Sequence, residues 1–281
     1  VVDATTLEDR GYVFEGPTHL SVGVGNARQA LDLSGARGWV RRLAVPGWRA
    51  GVRLGSGEAA VRASWLALTV ALASHPEVDW LTPYTCLVAT ENKLRQAVHA
   101  KRLGIEVPHT AVVSRRSDIP MELGDWLVAK PLGPGHFVQD DGDARVVWTE
   151  QLHRDDPRLD ALSGAPFLLQ ELVHAHRHLR VVTCGRRAWT CVLEADRLPV
   201  DWRRSVTAHH DFSPARDAEI EAQALVLAAE HGLGYSSQDW IDTGSRRVFI
   251  DLNPAGQWLF LPDPVRTEVS EAVADHLSGA I

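Results

Sequence analysis

From Gly57 to Ser74 the apolar residues Val61, Trp65, Leu68 and Leu72 recur at spacings of three and four, and His75-Pro76 closes the run. That is the period of a helix with one buried face. "VDWLTPY" (78–84) reads as a short buried strand, and with "ARGWVRRLAVP" (36–46) it predicts a small α/β unit. A second helix is expected from Thr90 and Glu91 through Leu103, with Leu94, Val98 and Leu103 on its apolar side and Gly104 as its stop. Beyond it the pattern changes to short extended runs. "WLVAKPL" is a strand that ends in a Pro-Leu-Gly-Pro-Gly loop, "ARVVWTE" and "PFLLQELV" are further strands, and "LRVVTCGRRAWTCVL" is a hairpin through Cys184-Gly185-Arg186. A long helix is expected from Ala215 to Glu230. "GYSSQDWID" and "RRVFIDLNP" then pair antiparallel about a turn at Thr243-Gly244-Ser245, and a helix over Pro264 to Leu277 follows.

Composition narrows the classes. With 45% hydrophobic and 23% charged residues in 281, the chain has an ordinary globular composition and can bury a sizeable core. A formal net charge of −7 argues against a broad basic face for nucleic acid, since such binding needs many phosphate neutralisations. No apolar run approaches the roughly 18 residues of a spanning helix, so a cytoplasmic protein with no membrane partner is expected. Cys86, Cys184 and Cys191 have no C-x-x-C spacing and suit a reducing compartment. Of 29 basic residues only Lys93, Lys101 and Lys130 are lysine. Where arginine is used so freely, each retained lysine is a stronger functional candidate.

Candidate chemistry gathers late in the chain. Asp251 and Asn253 are two apart on one strand, hence on one face, and pairing across the hairpin can bring Asp239 to the same face. Taken alone, Asp239 and Asn253 read as turn or strand-end residues. Two carboxylates and an amide oxygen also make a hard-oxygen set suited to Mg²⁺. Lys93 lies near a helix start, and Lys130 ends a strand that feeds a glycine-containing loop; singly, each reads as a solvated lysine. Together with the Asp…Asp-x-Asn set they are the parts of a nucleotide site, because phosphoryl chemistry is mostly positioning and charge neutralisation. In "LLQELVHAHRHLRVV" the strand through Gln170 runs into Glu171, Leu172 and Val173, a hinge whose backbone can pair with an adenine edge; the plainer reading is an amphipathic hairpin. His174, His176 and His178 share a face if extended, and read more simply as polar surface residues than as a zinc site. "SVGVGN" (21–26) lacks the spacing of a dinucleotide loop.

From about Trp80 onward the chain resembles the ATP-grasp superfamily, specifically the peptide-modifying ligases of graspetide (microviridin-type) biosynthesis. The similarity rests on "ATENKLRQAVHAKRLGIEVPHTAVVS", "VAKPL", "QELV…LRVVTCG", "VDWRRSV", "SSQDWID" and above all "IDLNPAGQWLFL"; "GWVRRLAVP" upstream resembles a strand of those ligases' N-terminal domain. The resemblance implies an α/β ATP-grasp fold, two subdomains (90–167 and 168–281) clasping ATP after a small, reduced or truncated N-terminal domain (1–89). It implies that Lys93 and Lys130 contact phosphates, that Gln170, Glu171, Leu172 and Val173 hold adenine, and that Asp239, Asp251 and Asn253 bind Mg²⁺. Arg180 and Arg203 would stabilise an acyl phosphate and its tetrahedral successor.

The implied activity is an ATP-dependent ligase that activates a carboxylate as an acyl phosphate and joins it to an amine or hydroxyl in a leader-core precursor peptide, giving a macrolactam or macrolactone. A ligase adding an amino acid to a small molecule or a protein C-terminus, and a degenerate protein that binds nucleotide or peptide without catalysis, are the alternatives. Self-association into a homodimer is left open. The sequence departs from the pattern at Asp251, where Glu is usual, at His178, where an acidic residue is common, and in the proline-rich loop after Lys130.

Overall fold

The computed structural model describes residues 11–15, 18–24, 27–41, 55–132, 136–138, 144–162 and 166–280. The chain divides into two compact units. The smaller comprises Val1–Cys86, Phe137–Arg145 and Ala274–Ile281, and the larger Leu87–His136 and Val146–Val273.

In the smaller unit β1 (Tyr12–Glu15), β2 (His19–Val24) and β3 (Ala27–Asp32) form an antiparallel sheet, and β4 (Arg37–Gly38) pairs parallel with β5 (Asp79–Trp80). Helix α1 (Gly57–Ala73) starts where expected because the Ser56 hydroxyl accepts from the Ala59 amide at 3.1 Å. Trp65 and Leu72 of α1 pack on Leu20 and Val22, whereas Val61 is exposed. The strand expected over 78–84 contracts to Asp79–Trp80: residues 81–83 form no regular element, and α2 (Tyr84–Thr90) begins at Tyr84. Residues 25–26 of "SVGVGN" and most of "GWVRRLAVP" lie outside the described residues.

The larger unit holds two sheets. The first has the order β10-β7-β11-β6, from β6 (Thr110–Val113), β7 (Trp126–Pro131), β10 (Glu150–His153) and β11 (Phe167–Glu171), all antiparallel. Its core comprises Val113, Ile119, Leu123, Leu127, Ala129, Leu152, Leu159 and Leu169. β8 (His136–Val138) and β9 (Ala144–Val146), most of whose residues belong to the smaller unit, form a separate two-stranded ribbon. The second sheet has the order β14-β13-β12-β15-β16, from β12 (Arg177–Cys184), β13 (Arg187–Glu194), β14 (Ser213–Ala215), β15 (Tyr235–Asp242) and β16 (Arg247–Asn253). The hairpins through Gly185 and Gly244 form as their alternation predicts; both glycines have positive φ.

Two helix expectations need correction. Helix α3 runs Lys93–Arg102 and not from Thr90, because the Asn92 side chain accepts from the Arg95 amide and sets the start there. Its buried residues are Gln96 and Ala100, while Val98 and Leu103 are exposed. Helix α4 (Ala218–Glu230) begins three residues later than expected: Asp217 is its cap, and Ser213–Ala215 is the edge strand β14. Helix α5 (Val265–Ser278) lies within a residue of expectation. No helix among the described residues is long and apolar enough to cross a membrane.

Candidate active site

Register across three strands builds the site. Arg180 on β12 stands opposite Asp239 on β15, and Asp239 stands opposite Asp251 on β16. Directly opposed residues of antiparallel strands share a face, so one cation and two carboxylates form a row. Two residues along, Ser237 opposes Asn253, which brings the amide to the same face. A register shift between Asp239 and Trp240 leaves Ile250 unpaired beside the carboxylates, a common placement for a bulge near a functional site.

The charges in this row are mutually held. Arg180 donates from Nη1 to Asp239 Oδ1 at 2.7 Å and from Nη2 to the Gln257 carbonyl at 3.1 Å. Burial pushes the Asp239 carboxyl upward, but the charges of Arg180 and Arg203 and the Arg180 hydrogen bond outweigh it and hold the group below the usual carboxylate range. Asn253 is exposed, and its side-chain oxygen accepts from the Ala255 amide at 2.9 Å.

Lys130 and Lys93 approach from the other sheet and from α3. Lys130, near the end of β7, is only 9% exposed, and burial lowers its pKa to about 8. Asp251 and Asp239 favour its charge, while Lys93 and Arg203 oppose it. Lys93 is the first residue of α3. Arg203, in the 3-10 turn Trp202–Arg204, is held by buried Asp201 through Nε–Oδ1 at 2.7 Å and Nη2–Oδ2 at 3.1 Å. Burial works against the Arg203 charge, but Asp201, Asp239 and Asp251 together raise its pKa.

The hinge closes one end. Buried Gln170 donates to Thr110 Oγ1 at 3.0 Å. The Glu171 amide is donated to the His109 carbonyl and the Leu172 amide to that of Trp126, so neither points at a ligand. No partner among the described residues takes the amide of buried Val173.

These groups surround a cavity of about 270 Å³. Of the residues singled out in the sequence, Lys93, Lys130, Gln170, Glu171, Val173, Arg203, Asp239 and Asp251 line it, while Leu172, Arg180 and Asn253 do not. Arg180 instead stands behind Asp239, its guanidinium carbon 5.9 Å from the centre of the Phe260 ring. The lining also includes residues with no role assigned from the sequence, among them Asp201, Trp148 and Trp202. Asp201 was legible only as the first residue of "DWRR", and its burial could not be read from a polar side chain in a loop. Of the three alternating histidines, only His178 lies in β12 and lines the cavity; His174 and His176 are exposed before or at the edge of the strand. Among the described residues no group of three or more His, Cys, Asp or Glu is arranged to hold a metal. Asp239, Asp251 and Asn253 are two carboxylates and an amide, a donor set that fits an ion completing its shell with phosphate oxygens and water. Residues 133–135 of the loop after Lys130 lie outside the described residues.

No family model matches the chain, and no curated protein does. Solved structures do. An ATP-grasp ligase associated with ribosomally synthesised, modified peptides from Chryseobacterium gregarium, in complex with ADP and a leader and core peptide, superposes with a TM-score of 0.80 at 20% identity, over 97% of this chain and 85% of that one. The macrocyclase MdnC from Microcystis aeruginosa, bound to precursor peptide MdnA, gives 0.77 at 22% identity, over 95% and 85%. The ATP-grasp ligase PsnB, complexed with a minimal precursor, Mg and ADP, gives 0.70 at 15% identity, over 98% and 88%. The chain has the ATP-grasp fold.

Proposed function

We propose that the chain is an ATP- and Mg²⁺-dependent ligase that activates a carboxylate as an acyl phosphate and joins it to an amine or hydroxyl within a ribosomally made peptide, closing a macrolactam or macrolactone. The observation that carries this reading is the sharing of one cavity by Lys93, Lys130 and Arg203 with Asp239 and Asp251, next to a hinge whose Val173 amide has no partner among the described residues. Its support from similar folds is that the Chryseobacterium ligase holds ADP with leader and core peptides, MdnC a precursor peptide, and PsnB Mg with ADP.

In this reading Lys93 and Lys130 neutralise phosphate oxygens, and Gln170, Glu171, Leu172 and Val173 form the adenine hinge, Val173 through its amide and Leu172 through its flanking chain. Asp239, Asp251 and Asn253 hold Mg²⁺. ATP with Mg²⁺ supplies, when bound, the phosphoryl group that turns a poor leaving group into a good one. The chain's own contribution is fixed charge. Lys130, whose buried ammonium is disfavoured in the free protein, gains most from an entering anion, and Arg203 stays aimed because Asp201 holds it from behind. Arg180 keeps Asp239 ionised, as a metal ligand must be. The acceptor enters as its own nucleophile, so the protein needs no covalent one.

The proposal also takes residues 1–89 as an N-terminal domain and 90–167 and 168–281 as the two ATP-grasp subdomains, with β11 as the passage between them. It places the reaction in the cytoplasm, with a leader-core precursor as partner; molar mass in solution reads whether two copies associate. Lys130→Ala tests the core of it. ADP formation from Mg·ATP with a synthetic peptide carrying Asp, Glu, Thr and Lys side chains should be lost in the variant and present in the wild type. Equal turnover in the two would refute the assignment.

A further inference from the structure

The helix that carries Lys93 and the strand that carries Asp251 and Asn253 are joined by one buried side chain. Gln96 lies one turn into α3 and is 2% exposed. Its Nε2 donates to the Leu252 carbonyl at 2.8 Å and to the Thr90 carbonyl at 2.7 Å, and its Oε1 accepts from the Leu252 amide at 2.9 Å. Both amide hydrogens and the carbonyl oxygen are therefore engaged, and the side chain has no freedom to reorient.

The partners matter as much as the bonds. β16 is an edge strand, so the outward amide and carbonyl of Leu252 have no neighbouring strand to pair with. Gln96 supplies a donor and an acceptor in their place, as a strand would. Leu252 sits between Asp251 and Asn253, and Thr90 is the last residue of α2. A carboxamide is the side chain that can offer two donors and one acceptor without charge. Neither Leu, which the helical pattern would favour at a buried position, nor Glu can do so.

We infer that Gln96 is a positioning residue: it fixes the spacing between the Lys93 ammonium and the Asp251–Asn253 carboxylate and amide, so that phosphate and metal are gripped together. This rests on the nucleotide–Mg²⁺ reading of the cavity. In that reading the metal shares its ligand sphere with phosphate oxygens, so moving α3 against β16 by a fraction of an ångström weakens their joint binding more than either alone. The role is of the outer-shell kind, in which loss of a supporting hydrogen bond reduces metal affinity by about 10- to 100-fold.

Calorimetric titration of ADP into the full chain, in Mg²⁺ and again in EDTA, reads this without any peptide substrate. The wild type is expected to bind ADP more tightly with Mg²⁺. In Gln96→Glu, which keeps the acceptor for the Leu252 amide but loses both donors, and in Gln96→Met, that Mg²⁺-dependent gain should shrink by about tenfold or more, with the affinity in EDTA little changed. Thermal unfolding confirms that each variant is folded, and if Gln96→Met is not, Gln96→Glu decides. An unchanged Mg²⁺-dependent gain, or an equal weakening with and without Mg²⁺ as a general loss of structure would give, overturns the inference while leaving the functional reading intact. A wild type that binds no ADP in either condition overturns that reading, and this inference with it.

Discussion

Arg180 and Asp239 face each other across neighbouring strands and share a 2.7 Å hydrogen bond, with side chains only 10% and 19% exposed. The Arg180 Nε is buried without a partner among the described residues, so the guanidinium depends on Asp239 and the Gln257 carbonyl. Removing one member of such a pair leaves an uncompensated charge. Asp239→Ala is expected to lower unfolding free energy by on the order of 3 kcal/mol, measured by urea denaturation, with part of the loss recovered in the double variant Asp239→Ala/Arg180→Met. A single-variant loss below about 1 kcal/mol would place Arg180 among surface ion pairs in energetic terms.

Lys130 sets a pH dependence. Its pKa of about 8 in the folded chain lies below the ordinary lysine value of 10.5, because burial disfavours the ammonium. The sign follows: below about 8 the folded protein bears the full cost of the buried charge, and stability from this group rises with pH from there toward 10.5, where the unfolded chain also loses its proton. Anion binding runs the opposite way, since a phosphate favours the ammonium. ADP affinity should fall as pH rises through about 8, with proton uptake on binding that calorimetry in buffers of different ionisation enthalpy detects. Lys130→Arg, which stays charged, should flatten the profile. A wild-type affinity independent of pH across this window would contradict the role.

Gly256 has no room for a side chain. A Cβ there would lie 2.5 Å from the Ser237 Cβ, 3.1 Å from its hydroxyl and 3.2 Å from Arg180 Nη2, and the Gly256 carbonyl also accepts from the buried Tyr235 hydroxyl at 2.8 Å. Gly256→Ala should therefore cost about 1–3 kcal/mol of stability through overpacking and displace Arg180 from Asp239. Unfolding experiments with the wild type, Gly256→Ala and the paired Gly256→Ala/Ser237→Gly variant check it. The pair should regain part of the loss; equal losses in both variants would mean that Ser237 is not the obstacle.

These features differ in how plainly the sequence displays them. The antiparallel pair that aligns Asp239 with Asp251 follows from two alternating runs about a Thr-Gly-Ser turn, and Lys130 stands out in a chain with 26 arginines and three lysines. Hydrophobic periodicity misplaced the buried face of α3 because its central buried residue is polar: Gln96 is inside for its hydrogen bonds, while Val98 is 56% exposed. Asp201 was missed for the same reason, since a buried carboxylate that holds an arginine looks like any loop acid until its partner is placed. The hinge was legible as a segment but not by atom. Only the pairing of Glu171 with His109 and of Leu172 with Trp126 leaves Val173 as the amide without a partner among the described residues.

The most direct test of the central claim is the mass of a peptide product. The chain is incubated with a synthetic peptide bearing Asp, Glu, Thr and Lys side chains, or with any short precursor encoded beside its gene, with and without Mg·ATP. The expected result is a product lighter by one water for each bond formed, dependent on ATP and Mg²⁺ and lost in Lys130→Ala and Asp251→Ala. An unchanged peptide mass alongside ATP turnover that neither variant abolishes would contradict it.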